Sequence, residues 1–145
     1  THIKLLDVRI KAADTETAQK LNLKVGDKTI YIRRLLTQDG EPVFYDREHL
    51  IYDPELPIIE AEMDVTSLQG LFANVDNTLL KRGKLTVKAT LLSREEADIL
   101  QMLFPGAAFC IEHIFYDFDN RPISEGCFLC RSDRIHFSTT LGPDK

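Results

Sequence analysis

Apolar and polar residues alternate through Ile3 to Lys11 and again through Leu85 to Leu92, and this period of two predicts a strand at each place. A short stretch with helical spacing follows each strand. Asp14 is positioned to cap the first helix. Ser93-Arg-Glu-Glu96 has the form of a capping box, in which a hydroxyl and a carboxylate satisfy the orphan amides of the second helix's first turn. Ala97, Leu100 and Leu103 predict that helix's buried stripe. A glycine then leads into a hairpin. Its arms are Thr29 to Leu36 and Val43 to Leu50 in one case, Ala108 to Tyr116 and Ile123 to Arg131 in the other. The turns, Gln38-Asp-Gly-Glu41 and Phe118-Asp-Asn-Arg121, supply residues that tolerate positive φ, and the proline after each limits hydrogen bonding there.

These elements form one unit that occurs twice. Val8 to Val43 overlays Val87 to Ile123: at an offset of 79, Asp14 falls on Ser93, Glu16 on Glu95, Ala18 on Ala97 and Leu21 on Leu100. Past a one-residue insertion at Pro105, Gly26 meets Gly106, Asp39 meets Asp119 and Pro42 meets Pro122. Matches in this order are the mark of a duplicated supersecondary unit. Ile51 to Lys84, between the copies, has no counterpart; Tyr52-Asp-Pro54 and Leu56-Pro57 read as loop, and Thr66 to Phe72 as the opening of a third helix. The order β-α-β-β, insert, β-α-β-β predicts an α+β fold, an antiparallel sheet with helices packed on one face. At 145 residues it is expected to be a single domain over 1–145.

Apolar residues are 43% and charged residues 28% of the chain, ordinary globular values that exclude disorder, collagen-like repeats and coiled coils. The net charge of −5 has the wrong sign for a domain that would gain affinity by neutralising duplex phosphates. No apolar run spans a bilayer and no signal peptide opens the chain, so it reads as soluble and cytoplasmic. Cys110, Cys127 and Cys130 are an odd, sparse set that suits a reducing compartment better than a disulfide-stapled domain. Cys127-Phe-Leu-Cys130 has half a zinc-knuckle spacing, but in a strand two side chains three apart point to opposite faces, so no metal is expected.

If each hairpin loop has three residues, with Gly40 and Asn120 left-handed, even-numbered residues of both arms share a face. In the first hairpin that face holds Ile30, Ile32, Arg34, Leu36, Phe44 and Asp46. One cation and one anion in apolar surroundings form either an internal ion pair or a pocket where both meet a ligand. In the second hairpin the same rule gives an odd face of Ile111, His113, Phe115, Ile123, Cys127 and Leu129, expected under the helices. Its even face holds Cys110, Glu112, Ser124, Gly126, Phe128 and Cys130. There Gly126 leaves room for a small molecule, or for a partner strand or the Ile51 to Lys84 insert.

Conventional catalytic signatures are missing from the sequence. His2, His49, His113 and His136 form no i, i+4 pair, with His113 read as a satisfied core residue, and no Gly-x-Ser-x-Gly or phosphate-cradling glycine loop occurs. Arg131-Ser-Asp-Arg134 reads as an ion-pair ladder or an anion site. No cofactor is implied.

Several motifs nevertheless follow one family in order: Leu21-x-Leu23-x-x-Gly26, Ile32-x-Arg34, Asp39-Gly-Glu-Pro42, Ser67-Leu68, Glu95-Glu-Ala-x-x-Leu100, Asp119-Asn-Arg-Pro-Ile123 and Arg131-Ser-Asp-Arg-Ile-His-Phe137. Through nearly its whole length the chain resembles the UTRA domain, the effector-binding half of bacterial GntR-type transcription regulators of the HutC subfamily, with a chorismate-lyase-like fold. The resemblance implies a homodimer that binds a small metabolite. DNA is contacted only through an N-terminal winged-helix domain outside this chain, and no membrane partner is implied. It also implies effector contacts residue by residue. Arg34 takes the first place of an Arg-x-Arg pair that holds phosphosugars in relatives, Leu36 replacing the second, and Asp46 takes the place of an acid on the returning strand. Ser67 and Gln69 stand where relatives have Ser-Leu-Tyr, Ser124 where they have an acid, and Cys130 where they have a tyrosine. One arginine, one carboxylate and small neutral groups imply a ligand smaller than a sugar phosphate, with an anion on Arg34 and an amine or hydroxyl near Asp46. The rivals are a chorismate-lyase-like enzyme acting on a small acid and a ligand-free dimerisation module.

Overall fold

The computed structural model of the chain describes residues 2–53 and 82–143. These form β1 (His2–Ala12), α1 (Thr15–Leu21), β2 (Lys28–Gln38), β3 (Glu41–Ile51), β4 (Arg82–Leu91), α2 (Arg94–Leu100), β5 (Ala107–Tyr116) and β6 (Pro122–Arg131). One antiparallel sheet has the order β1-β2-β3-β6-β5-β4, so the second β-α-β-β unit mirrors the first across the β3/β6 seam. The expected fold class and duplication are both present. The third helix expected at Thr66 to Phe72 lies outside the described residues, as do Ser67 and Gln69.

Each helix is seven residues long and capped as its sequence dictates. Asp14 accepts from Thr17 N at 2.8 Å, and Ser93 and Glu96 exchange both bonds of the capping box. Left-handed residues at equivalent positions, Asn22 and Gln101, end the helices. That stop corrects one expectation. Ala97 and Leu100 are buried, but Leu103 falls beyond the cap and is 89% exposed.

Both helices cover the same side of the sheet. α2 packs Ala97 and Leu100 against Tyr45, Ala108, Cys110 and Leu129. α1 donates from Thr17 Oγ to Glu125 of β6, and Leu21 joins Ile51 and Ile123. On the opposite side Ile111, Phe128 and Cys130 form a second apolar cluster with Leu36, Phe44 and Phe109. Phe128 is fully buried there, worth about 2–3 kcal/mol of transfer free energy.

The hairpins reach their registers differently from the three-residue loops expected. In the first, Asp39 and Gly40 (φ 52° and 80°) make a two-residue turn between paired Gln38 and Glu41. A bulge between Leu36 and Thr37 then restores parity, so Arg34 faces Asp46 and Ile32 faces Glu48. In the second, Asn120 is left-handed as expected (φ 62°), but the pairs run Phe115 to Ser124, His113 to Gly126 and Ile111 to Phe128. Odd residues of β5 therefore share a face with even residues of β6. The expected split of that hairpin is wrong: Ile111, His113 and Phe115 lie away from the helices with Ser124, Gly126, Phe128 and Cys130. The other side carries Cys110 and Glu112 with Ile123, Cys127 and Leu129.

The cysteines also differ from expectation. Cys110 and Cys127 sit on the helix side of adjacent strands, Cα atoms 6.1 Å apart, and are joined as a disulfide. Cys130 points to the other face and is free and buried.

Candidate functional site

The face away from the helices carries a buried ionic cluster at the centre of the sheet. Strand pairing aligns Arg34 with Asp46, Asp46 with Phe128, Glu48 with Gly126, and Gly126 with His113. Arg34 Nε donates to Asp46 Oδ2 at 2.9 Å, and Arg34 Nη2 lies 2.7 Å from the same oxygen and 2.6 Å from Glu48 Oε2. Both carboxylates and the guanidinium are almost wholly buried. Arg34 and Asp46 thus form the ion pair that is one of their two expected arrangements, extended by a second carboxylate.

Glu48 is not among the residues expected from the sequence, although the signal is present there. It is even-numbered on β3, and the parity that selected Asp46 selects it as well. His113 is in the core as expected, its ring stacked between Phe115 and Phe128 with centroids at 4.8 and 4.5 Å. Its Nε2 lies 3.1 Å from Glu48 Oε1, outside hydrogen-bonding geometry, and Nδ1 has no partner among the described residues.

Ser124, fully buried on the same face, has a hydroxyl without a hydrogen-bond partner among the described residues. Burial pushes the Cys130 thiol up to about 12, so it stays protonated and acts as a small apolar wall. Arg34, Asp46, Ser124 and Cys130 therefore share one face. The space beside Gly126 is taken by protein: a Cβ there would overlap the Arg47 carbonyl oxygen and stand 2.9 Å from Glu48 Cα and 3.0 Å from His113 Cε1. Glycine at this point lets two strands and a ring close together.

The helix-bearing face is polar where the short helices leave it open. Glu125, buried, pairs with His49 Nδ1 at 2.8 Å, Thr17 Oγ at 3.3 Å and Lys20 Nζ at 3.6 Å. Its burial raises the carboxyl's pKa, but His49, Lys20 and Thr17 outweigh this and hold it below the ordinary glutamate range. At the far end of the sheet Arg131 forks onto Asp133 at 2.9 and 2.6 Å and Arg134 pairs with Glu41, the ion-pair ladder that was one of two readings. Among the described residues, no group of three or more His, Cys, Asp or Glu could hold a metal ion, and no helix is long and apolar enough to cross a membrane.

A twice-repeated β-α-β-β sheet with helices on one face is a fold shared with solved ligand-binding and effector domains of GntR-family regulators. The ligand-binding domain of a GntR-family regulator from Bordetella bronchiseptica superposes with a TM-score of 0.78 at 24% identity, covering 97% of this chain and 90% of that one. The effector domain of PhnF from Mycobacterium smegmatis gives 0.78 at 22% identity, covering 97% and 86%. The chain belongs to the UTRA domain family, whose sequence profile matches residues 1–136. A fructoselysine utilization operon transcriptional repressor of Escherichia coli O157:H7 is 25% identical over 127 residues, 88% of this chain. The chain spans about half (51%) of that relative's length. The role is thus regulatory rather than enzymatic, that of an effector-binding domain, and the lyase alternative falls away.

Proposed function

We propose that this chain folds as one domain over residues 1–145 and senses a small metabolite for a cytoplasmic, homodimeric transcription regulator of the HutC type. The effector contacts Arg34, Asp46, Ser124 and Cys130, joined by Ser67 and Gln69, which enter this reading through the family resemblance alone. The observation that carries it is the buried Arg34–Asp46–Glu48 cluster on the same face as the Ser124 hydroxyl, which has no hydrogen-bond partner among the described residues, the face opposite α1 and α2. An anion reaching Arg34 competes with two carboxylates already in contact. The favoured ligand therefore brings an acidic group for the guanidinium together with an amine or hydroxyl for the carboxylate it displaces. Binding changes operator affinity of the full-length dimer only if the ligand prefers one arrangement of the two subunits over the other, since equal affinity shifts nothing.

Thermal-shift screening of the chain against small acids, amino acids, sugar phosphates and fructoselysine tests this reading. A ligand at one hundred times its dissociation constant adds roughly 2.7 kcal/mol of stability. Ser124→Ala removes a hydroxyl with no partner among the described residues, so it leaves the unliganded protein as stable as before and weakens the ligand about tenfold if the ligand uses that hydroxyl. The dimerisation-module reading draws on Arg34 being engaged by two acids already. A dimer in light scattering with no stabilising compound, and no effect of Ser124→Ala on any hit, decides for that reading instead.

A further inference from the structure

Two seven-residue helices cannot roof strands of 10 or 11 residues, and among the described residues a strip of the sheet's helix side stays open between α1 and α2. Two cavities occupy it and meet at shared walls, Tyr31 and Arg47. The first, of about 340 Å³, is bordered by Arg9, Arg33 and Arg47 with Tyr31 and Tyr45. The second, of about 280 Å³, is bordered by Glu112, Glu125 and His49 and by both ends of α1's exposed charge, Glu16 and Lys20.

At each end like charges stand side by side. Arg33 and Arg47 are directly opposite in the β2/β3 ladder, an arrangement that costs stability unless an anion lies between or beside them. Their present partners are peripheral. Arg33 donates to the Tyr45 hydroxyl at 3.1 Å with Asp7 3.8 Å away, and Arg47 donates to Glu96 at 2.8 Å. Glu95 and Arg9 line the same cavity. At the other end Glu125 lies beside the residue paired with Glu112's neighbour, with His49 and Lys20 on Glu125, Lys88 on Glu112 at 2.5 Å, and Asp14 committed to capping α1. Between the ends lie the Tyr31 and His49 rings, centroids 4.8 Å apart and tilted by 34°, with Lys11 over the Tyr31 face at 4.9 Å.

We propose that this groove is a second small-molecule site, distinct from the Arg34 face, for a zwitterion whose acidic group lies between Arg33 and Arg47 and whose ammonium lies toward Glu112 and Glu125. The sheet sets the ligand's length. Arg47 is opposite Cys127, and Glu125 is two residues along that strand, so the backbone positions that carry the two charged ends are about 8 Å apart by strand spacing and rise. The groove therefore selects an ω-amino acid with a chain of several methylenes over an α-amino acid whose charges adjoin.

Calorimetric titration of the chain with 6-aminohexanoate, hexanoate and hexylamine tests the assignment. The zwitterion is expected to bind saturably and at least about tenfold tighter than either single-charge probe, since each end adds a charge-assisted contact. Arg33→Gln with Arg47→Gln is expected to weaken it about tenfold or more, as is Glu112→Gln on its own, with far-UV circular dichroism confirming the fold. Should the double variant not fold, Arg33→Lys serves, keeping the charge but losing the planar fork. The proposal is overturned by no saturable binding, by hexanoate or hexylamine binding as well as the zwitterion, or by binding that survives the groove variants and is lost in Ser124→Ala. That last outcome moves the ligand to the Arg34 face.

Discussion

Replacing Gly126 by alanine puts one methyl group into the β3/β6 seam. An ideal Cβ there overlaps the Arg47 carbonyl oxygen, stands 2.9 Å from Glu48 Cα and touches His113 Cε1 at 3.0 Å. Two of those three neighbours are backbone of the paired strand, so relief requires the strands to part where Arg34, Asp46 and Glu48 are held together. Overpacking of this kind costs about 1–3 kcal/mol, and the stiffer unfolded chain returns less than 1 kcal/mol, leaving a net loss of about 2 kcal/mol. With a urea slope of about 2 kcal/mol/M, the unfolding midpoint followed by circular dichroism falls by about 1 M. Gly40→Ala is the matched control. Nothing lies within 4 Å of its Cβ position, and its cost comes only from a backbone at φ +80°. A Gly126→Ala midpoint within about 0.2 M of the parent would refute the account of this glycine as a close-approach residue and reopen the space beside it for a ligand.

Ser93→Ala removes the Glu96 N–H to Ser93 Oγ bond of the capping box and keeps the bond from the backbone N–H of residue 93 to the Glu96 carboxylate; urea unfolding is expected to show a loss of about 1 kcal/mol. Cys130 is expected to resist iodoacetamide at pH 8 in the native protein and to react once urea exposes it, read by intact mass, because burial raises its thiol to about 12. Burial raises the Glu125 pKa, but His49, Lys20 and Thr17 hold it below the ordinary glutamate range, so the unfolded chain binds this proton more tightly than the folded one. Its contribution is complete above about pH 4.3 and is lost as the pH falls through the lower folded value. Stability measured from pH 6 downward should therefore fall more steeply in the parent than in Glu125→Gln; equal slopes would remove Glu125 from the balance.

The sequence by itself determined the elements and their order. Alternation in Ile3 to Lys11 and Leu85 to Leu92, caps at Asp14 and Ser93 and turns at Asp39-Gly40 and Asn120 are local signals, and local backbone chemistry suffices to read them. The repeat then predicted two like units in one antiparallel sheet, while their joining at β3 and β6 was decided by the tertiary structure. Only the tertiary structure decided register and contacts. A bulge near one turn kept Arg34 opposite Asp46, while the other hairpin slid by one residue and sent His113 and Phe115 to the ionic face. A single-residue slip reverses every side chain of a strand, and no local pattern in β5 distinguishes its two apolar faces. Glu48 beside Arg34, Gly126 beneath a neighbouring strand and the open strip between α1 and α2 share that cause. They depend on which strands meet and where two short helices stop, distances set by packing between residues far apart in the chain.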